Sequence, residues 1–102
     1  MYWGAASTCG RRPSNEDSHV VQSFQKPAQA TYAAVFDGHG GAAASEYSAA
    51  HLHTTLLAQK EYPENMSKAL QQTFNITDRN YIKKEGSADI FSSAGTTAIV
   101  CV

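Results

Sequence analysis

The stretch Thr31-Tyr32-Ala33-Ala34-Val35-Phe36-Asp37-Gly38-His39-Gly40-Gly41 constrains the fold more than any other part of the chain. Thr31 to Phe36 is almost continuously apolar, the pattern of a strand buried on both faces. It ends on a carboxylate, Asp37, and the next turn sets three glycines around one histidine. From Ala42 the composition favours helix, with Ala49, Leu52 and Leu56 on one face at the helical period. The segment therefore reads as strand, glycine turn and helix.

The flanking segments extend this pattern. Trp3 to Cys9 is small and strand-compatible, Gly10 to Asn15 is turn-rich, and His19 to Phe24 has the β-branched content of a strand. Pro63 suits a helix start, and Met66, Leu70, Phe74, Thr77 and Tyr81 form an apolar stripe that ends near Lys83, Lys84 and Gly86. The cations there complement the negative end of a helix. Thr96 to Val102 reads as a last strand. Because the chain stops inside it, the sequence reads as a fragment, with the remainder of the sheet expected in cis or from a partner chain.

Composition narrows the classes of function. A 102-residue chain is one small domain that buries roughly 65% of its unfolded surface. Eight Lys and Arg against nine Asp and Glu leave a formal net charge of −1, with no basic face for a phosphate backbone, so no nucleic-acid partner is expected. No apolar window is long enough for a membrane span and no export signal opens the chain. Cys9 and Cys101 give neither a zinc spacing nor a disulfide framework, which fits a reducing compartment. The tripeptides Asn65-Met66-Ser67 and Asn75-Ile76-Thr77 match a glycosylation pattern that is common by chance.

Reactive groups concentrate in Arg11-Arg12-Pro13-Ser14-Asn15-Glu16-Asp17 and in Asp37-Gly38-His39-Gly40-Gly41. A capping box on Ser14 and Asp17 is one reading of the first, but the adjoining His19-Val20-Val21 is strand-like rather than helical. In the second, Gly38-His39-Gly40-Gly41-Ala42-Ala43 also fits G-x-G-x-x-A, a dinucleotide-binding turn. Against that, Asp37 would set a negative charge beside the pyrophosphate, and no second parallel strand supplies the acidic residue expected about 20 residues on. Taken together, carboxylates at the ends of neighbouring strands converge where a hard dication can sit between them. The glycines let the backbone approach that ion, so that the Gly38 carbonyl can add an oxygen ligand. All-oxygen ligation selects Mg²⁺ or Mn²⁺. His51 and His53 point to nearly opposite sides of their helix and cannot chelate together.

Three ordered stretches resemble the metal-dependent serine/threonine protein phosphatases of the type 2C class: Arg12 with Asn15-Glu16-Asp17, Val35 to Gly41, and Ala94-Gly95-Thr96-Thr97-Ala98. The resemblance runs from about Gly4 to Val102 and makes residues 1–102 part of one catalytic domain. It implies an α+β fold, the N-terminal portion of a β-sandwich flanked by helices, with two Mg²⁺ or Mn²⁺ ions in the complete domain. By the same resemblance Asp37 bridges the metals, Glu16 and the Gly38 carbonyl complete one of them, and Asp17 holds a water. Arg12, rather than Arg11, grips the substrate phosphate. His39 is the proton donor to the leaving oxygen, and Thr96 and Thr97 are structural. The implied reaction is hydrolysis of phosphoserine and phosphothreonine in proteins by a metal-activated water. The expected setting is a monomer in the cytoplasm or nucleus.

One departure qualifies this. The family completes its second metal with aspartates far downstream, and Asp78 and Asp89 match no such motif. Two carboxylates facing two dications disfavour the binuclear state, so the isolated chain is expected to have little or no turnover. A non-catalytic binding or regulatory product is the alternative reading.

Overall fold

The computed structural model describes residues 4–27, 29–86 and 94–102. Six elements occur in order: β1 (Asp17–Phe24), β2 (Ala30–His39), α1 (Ala43–Leu57), α2 (Met66–Gly86), β3 (Gly95–Thr96) and β4 (Ile99–Cys101). β2 is the longest strand and the centre of the sheet. β1 pairs along it antiparallel on one side, and on the other β4 pairs antiparallel with its middle, Ala33 to Val35, and β3 with its C-terminal end, Gly38 and His39. Register sets Phe24 opposite Ala30 at one end and Asp17 opposite Asp37 at the other.

The side-chain period of two decides which face of β2 is covered. Tyr32, Ala34 and Phe36 are buried against the helices, whereas Val35 between them is 50% exposed. The expectation of a strand buried on both faces is therefore corrected: its apolar content is continuous, but among the described residues only one face is packed. On the open side Ile99, which pairs with Val35, is 73% exposed. A cavity lined by Ala5, Val21, Ala33, Val35, Ile99 and Cys101 lies there. The closed face has a well-defined core, in which Phe24 stacks on Tyr32 at 5.5 Å and meets Tyr62 edge-on at 6.3 Å. Leu52 and Leu56 of α1 complete it, as their period anticipates.

α2 keeps part of the expected stripe: Thr77 is buried and Met66 and Leu70 pack against the core, but Phe74 is 37% exposed and Ala69 and Thr73 join Thr77 on the inward face instead. Small residues on one face let two helices approach closely, and the Thr73 hydroxyl is satisfied inside its own helix by the Ala69 carbonyl at 2.7 Å. The helix begins at Met66 rather than at Pro63, because the Asn65 side chain accepts the Lys68 N–H at 3.2 Å and so caps it. That gives Asn65 a structural role independent of any glycosylation pattern. Residues 4–9 form no strand; Met1 to Trp3 lie outside the described residues. The Asn15 amide reaches the Ser7 hydroxyl at 2.8 Å, a side-chain tether that takes the place of a ladder.

His53 packs its ring 5.5 Å from that of Tyr32, and its Nδ1 has no partner. Burial, then the neighbouring charge of His51, pushes its pKa below the ordinary 6.5. The unfolded chain thus binds the proton more readily. The stability contribution is fully present above pH 6.5 and is lost as pH falls toward the lower folded value. Melting temperature should drop by about 2–4 °C between pH 7 and 5.5, and His53→Gln should flatten that slope in a pH series of thermal melts.

Candidate functional site

The polar end of the sheet gathers the residues that the sequence singles out. Arg12, Glu16, Asp17, Asp37, Gly38 and His39 line one cleft of about 420 Å³ together with Thr8, Cys9, Ser14, Asn15 and Gly40. Arg11 is not among them. Arg12 is held by a tight turn in which its N–H donates to the Cys9 carbonyl at 3.3 Å while the Cys9 thiol donates back to the Arg12 carbonyl at 2.9 Å. The Asn15 side chain accepts the Asp17 N–H at 3.1 Å and fixes the entry into β1.

Successive residues of an extended chain point to opposite sides, and this separates Glu16 from Asp17. Asp17 sits directly across from Asp37 in the ladder. Loss of hydration, then the nearby Asp37 carboxylate, push the Asp17 carboxyl above its ordinary value, against the pull of Arg12. Glu16 turns the other way, and its carboxylate accepts the Gly41 N–H just before α1. The helix has Ala42 as its N-cap with no side-chain cap bond, so Glu16 supplies the anion that a helix N-terminus favours.

The glycine turn makes this arrangement possible. Gly40 and Gly41 have φ of 69° and 116°, a region costly for residues with a Cβ. The turn swings the Gly41 N–H toward Glu16. At Gly38 the requirement is space: its N–H donates to the Glu16 carbonyl at 3.2 Å, and a Cβ would lie 2.5 Å from that carbonyl oxygen.

Asp37 is fixed from the far side by Thr97. The Thr97 N–H donates to the Asp37 carbonyl at 3.0 Å, and the Thr97 hydroxyl accepts the Asp37 N–H at 3.3 Å. Gly95 is a contributor that sequence reasoning missed. A Cβ on it would come within 2.5 Å of His39 Nε2 and 2.8 Å of Cε1, so the imidazole lies where a side chain would stand. The signal was present in the Ala94-Gly95-Thr96 triplet but needed the β2–β3 register, His39 opposite Gly95, to be read. Because His39 is exposed and can rotate, Gly95→Ala should change stability by no more than about 0.5 kcal/mol. It should still shift the His39 imidazole resonances in an NMR spectrum.

The donor chemistry suits a hard divalent cation. Two carboxylates meet side by side, a third accepts an N–H through one oxygen and keeps the other, and no thiolate or imidazole cluster competes among the described residues. Among those same residues, however, no group of three or more His, Cys, Asp or Glu side chains is gathered to hold an ion. The set is suitable in kind and incomplete in number. A pyrophosphate reading of the turn has no support: Glu16 occupies the Gly41 N–H, and every described strand pair is antiparallel. Asp78 lines a different cavity, between α1, α2 and β3, and Asp89 lies outside the described residues. No described helix is long and apolar enough to cross a membrane.

An α+β layer of this kind is found in known structures. The solved structure of a Caenorhabditis elegans sex-determining protein matches 90% of this chain with a TM-score of 0.76 at 25% identity, and the match covers 24% of that protein's chain. Protein phosphatase 1F of Homo sapiens is 38% identical over 95 residues, 86% of this chain and 20% of its own length. Protein phosphatase 1E of Mus musculus is 33% identical over 96 residues, 87% of this chain and 13% of its own. The Protein phosphatase 2C profile matches residues 2–102. The chain belongs to the Protein phosphatase 2C family, and spans less than a third of the length of the curated relatives it matches.

Proposed function

We propose that these residues form one side of a serine/threonine protein phosphatase site, acting on phosphoproteins of the cytoplasm or nucleus. The supporting observation is the convergence of Arg12, Glu16, Asp17, Asp37, Gly38 and His39 on one polar cleft. In this reading Asp37, Glu16 and the Gly38 carbonyl hold Mg²⁺ or Mn²⁺. The bound ion would supply Lewis acidity toward phosphate oxygens and toward water. Arg12 binds the phosphoryl group, its planar fork matching two oxygens. Asp17, already beside Asp37, accepts a hydrogen bond from water at the cleft and orients it. His39, exposed at the strand end, carries a proton to the departing seryl or threonyl oxygen.

Among the described residues the cleft has too few carboxylates for two dications, so turnover requires further acidic ligands. Calorimetric titration with Mn²⁺ tests the reading, with inorganic phosphate titrated second. The chain should take up Mn²⁺, and Arg12→Ala should leave that affinity within about twofold while weakening phosphate binding by about tenfold or more. A phosphothreonine peptide should not be measurably hydrolysed by the chain alone. Turnover that rises with Mn²⁺ and disappears in Asp37→Asn would show the ligand set to be sufficient and overturn that last point.

A further inference from the structure

Ser45 lies in the first turn of α1 and is fully buried. A serine at that depth in an alanine-rich helix has one obvious local outlet, the Ala42 carbonyl at 3.0 Å, but its hydroxyl is nearer to a different acceptor. The Glu16 carbonyl oxygen is 2.6 Å away, across the junction between helix and sheet. A hydroxyl has one proton, and the shorter contact takes it. Ser45 in turn accepts from the Ser18 hydroxyl at 3.4 Å. The Glu16 carbonyl therefore receives two donors, Ser45 Oγ from α1 and the Gly38 N–H from β2 at 3.2 Å. The Glu16 carboxylate receives the Gly41 N–H. α1, β2 and the turn between them thus hold one residue by both its main chain and its side chain.

We propose that Ser45 is a positioning residue for Glu16: its hydroxyl anchors the Glu16 main chain so that the carboxylate is held at the cleft for a divalent cation. The inference rests on the metal reading of the cleft. Without the hydroxyl, the Glu16 carbonyl keeps only the longer Gly38 contact and the Ser18 hydroxyl loses its acceptor. Glu16 is not part of β1 proper, so no ladder beyond that single bond restrains it. Freedom gained by its main chain passes directly to the carboxylate, and ligand sets depend on such supporting contacts. A purely structural serine would affect thermal stability and leave metal affinity alone.

The test is Mn²⁺ binding to the chain, monitored as the loss of the free-ion signal in electron paramagnetic resonance, with circular dichroism on each variant. Ser45→Ala should raise the Mn²⁺ dissociation constant about tenfold, the size of one net hydrogen bond. Ser45→Cys, close in volume but a weak donor, should fall between it and the parent. It carries the measurement should the alanine variant fail to fold. Ser18→Ala, which leaves the Ser45–Glu16 bond in place, should bind within about twofold of the parent. Equal affinity in a folded Ser45→Ala or Ser45→Cys, with the parent binding Mn²⁺, would overturn the positioning role and leave the metal reading intact. A folded parent that takes up no Mn²⁺ would overturn both.

Discussion

Gly38→Ala is expected to destabilise the chain by about 3 kcal/mol, a larger loss than any other single methyl group should cause here. The added Cβ would lie 2.5 Å from the Glu16 carbonyl oxygen, 2.9 Å from Ser45 Oγ and 3.2 Å from Ser45 Cβ. Neither neighbour can yield cheaply. The carbonyl is main chain held by two donors, and Ser45 is fully buried in the first turn of α1. Relief requires β2 to move from the start of β1 or α1 to move from the sheet. Overpacking of this kind costs about 1–3 kcal/mol, and the Gly38 N–H bond to Glu16 adds about 1 kcal/mol when it breaks. In a domain of this size that lowers the melting temperature by roughly 10–20 °C. Gly41→Ala is the contrast: no atom lies within 4 Å of its added Cβ, and only the backbone at φ 116° resists. About 1–2 kcal/mol is expected there. Thermal melts in metal-free buffer should rank the variants in this order, and a Gly38→Ala melt within about 2–3 °C of the parent would show that the junction is looser than the geometry states.

The same junction marks the boundary between what the sequence reveals and what it conceals. An apolar run ending in Asp37 and leading into glycines could be read directly, because each residue type there answers a backbone or burial demand by itself. α1 could also be read, since Leu52 and Leu56 repeat at the helical period. Part of α2 could too, in Met66, Leu70 and Thr77, but its Ala69 and Thr73 could not: they are less hydrophobic than Phe74, and only the close approach of α1 makes small residues the better choice there. Nor could the one-sided burial of β2, because Val35 has the same composition whether or not something covers it. At the site, the candidate residues were legible as types, while the division of Glu16 toward α1 and Asp17 toward Asp37 comes from strand register. Ser45 carries no periodic or motif signal at all. It matters only because folding brings the first turn of the helix against residue 16.

Asp37→Asn should act with opposite signs on the metal-free and metal-loaded chain. Asp37 stands directly across the ladder from Asp17, and like charges in that position destabilise an antiparallel pair. The amide keeps the shape, removes one charge, and can donate a hydrogen bond to the Asp17 carboxylate. The main-chain bonds to Thr97 do not depend on the side chain and should persist. Without metal, the variant should therefore melt at the same temperature as the parent or a few degrees higher. With Mn²⁺ the order should reverse. The parent gains stability as the ion binds the folded state, whereas the variant, lacking the central carboxylate, should lose at least about a hundredfold in affinity and show little shift at the same ion concentration. Melts with and without millimolar Mn²⁺ separate the two effects in one experiment. A variant that is less stable without metal would mean that the Asp37 carboxylate holds the fold together. One that still shifts with Mn²⁺ would place the ion elsewhere. The expected crossing requires both repulsion between the paired Asp17 and Asp37 carboxylates and a cation that relieves it, so neither a generic loss of stability nor an unrelated binding site reproduces the pattern.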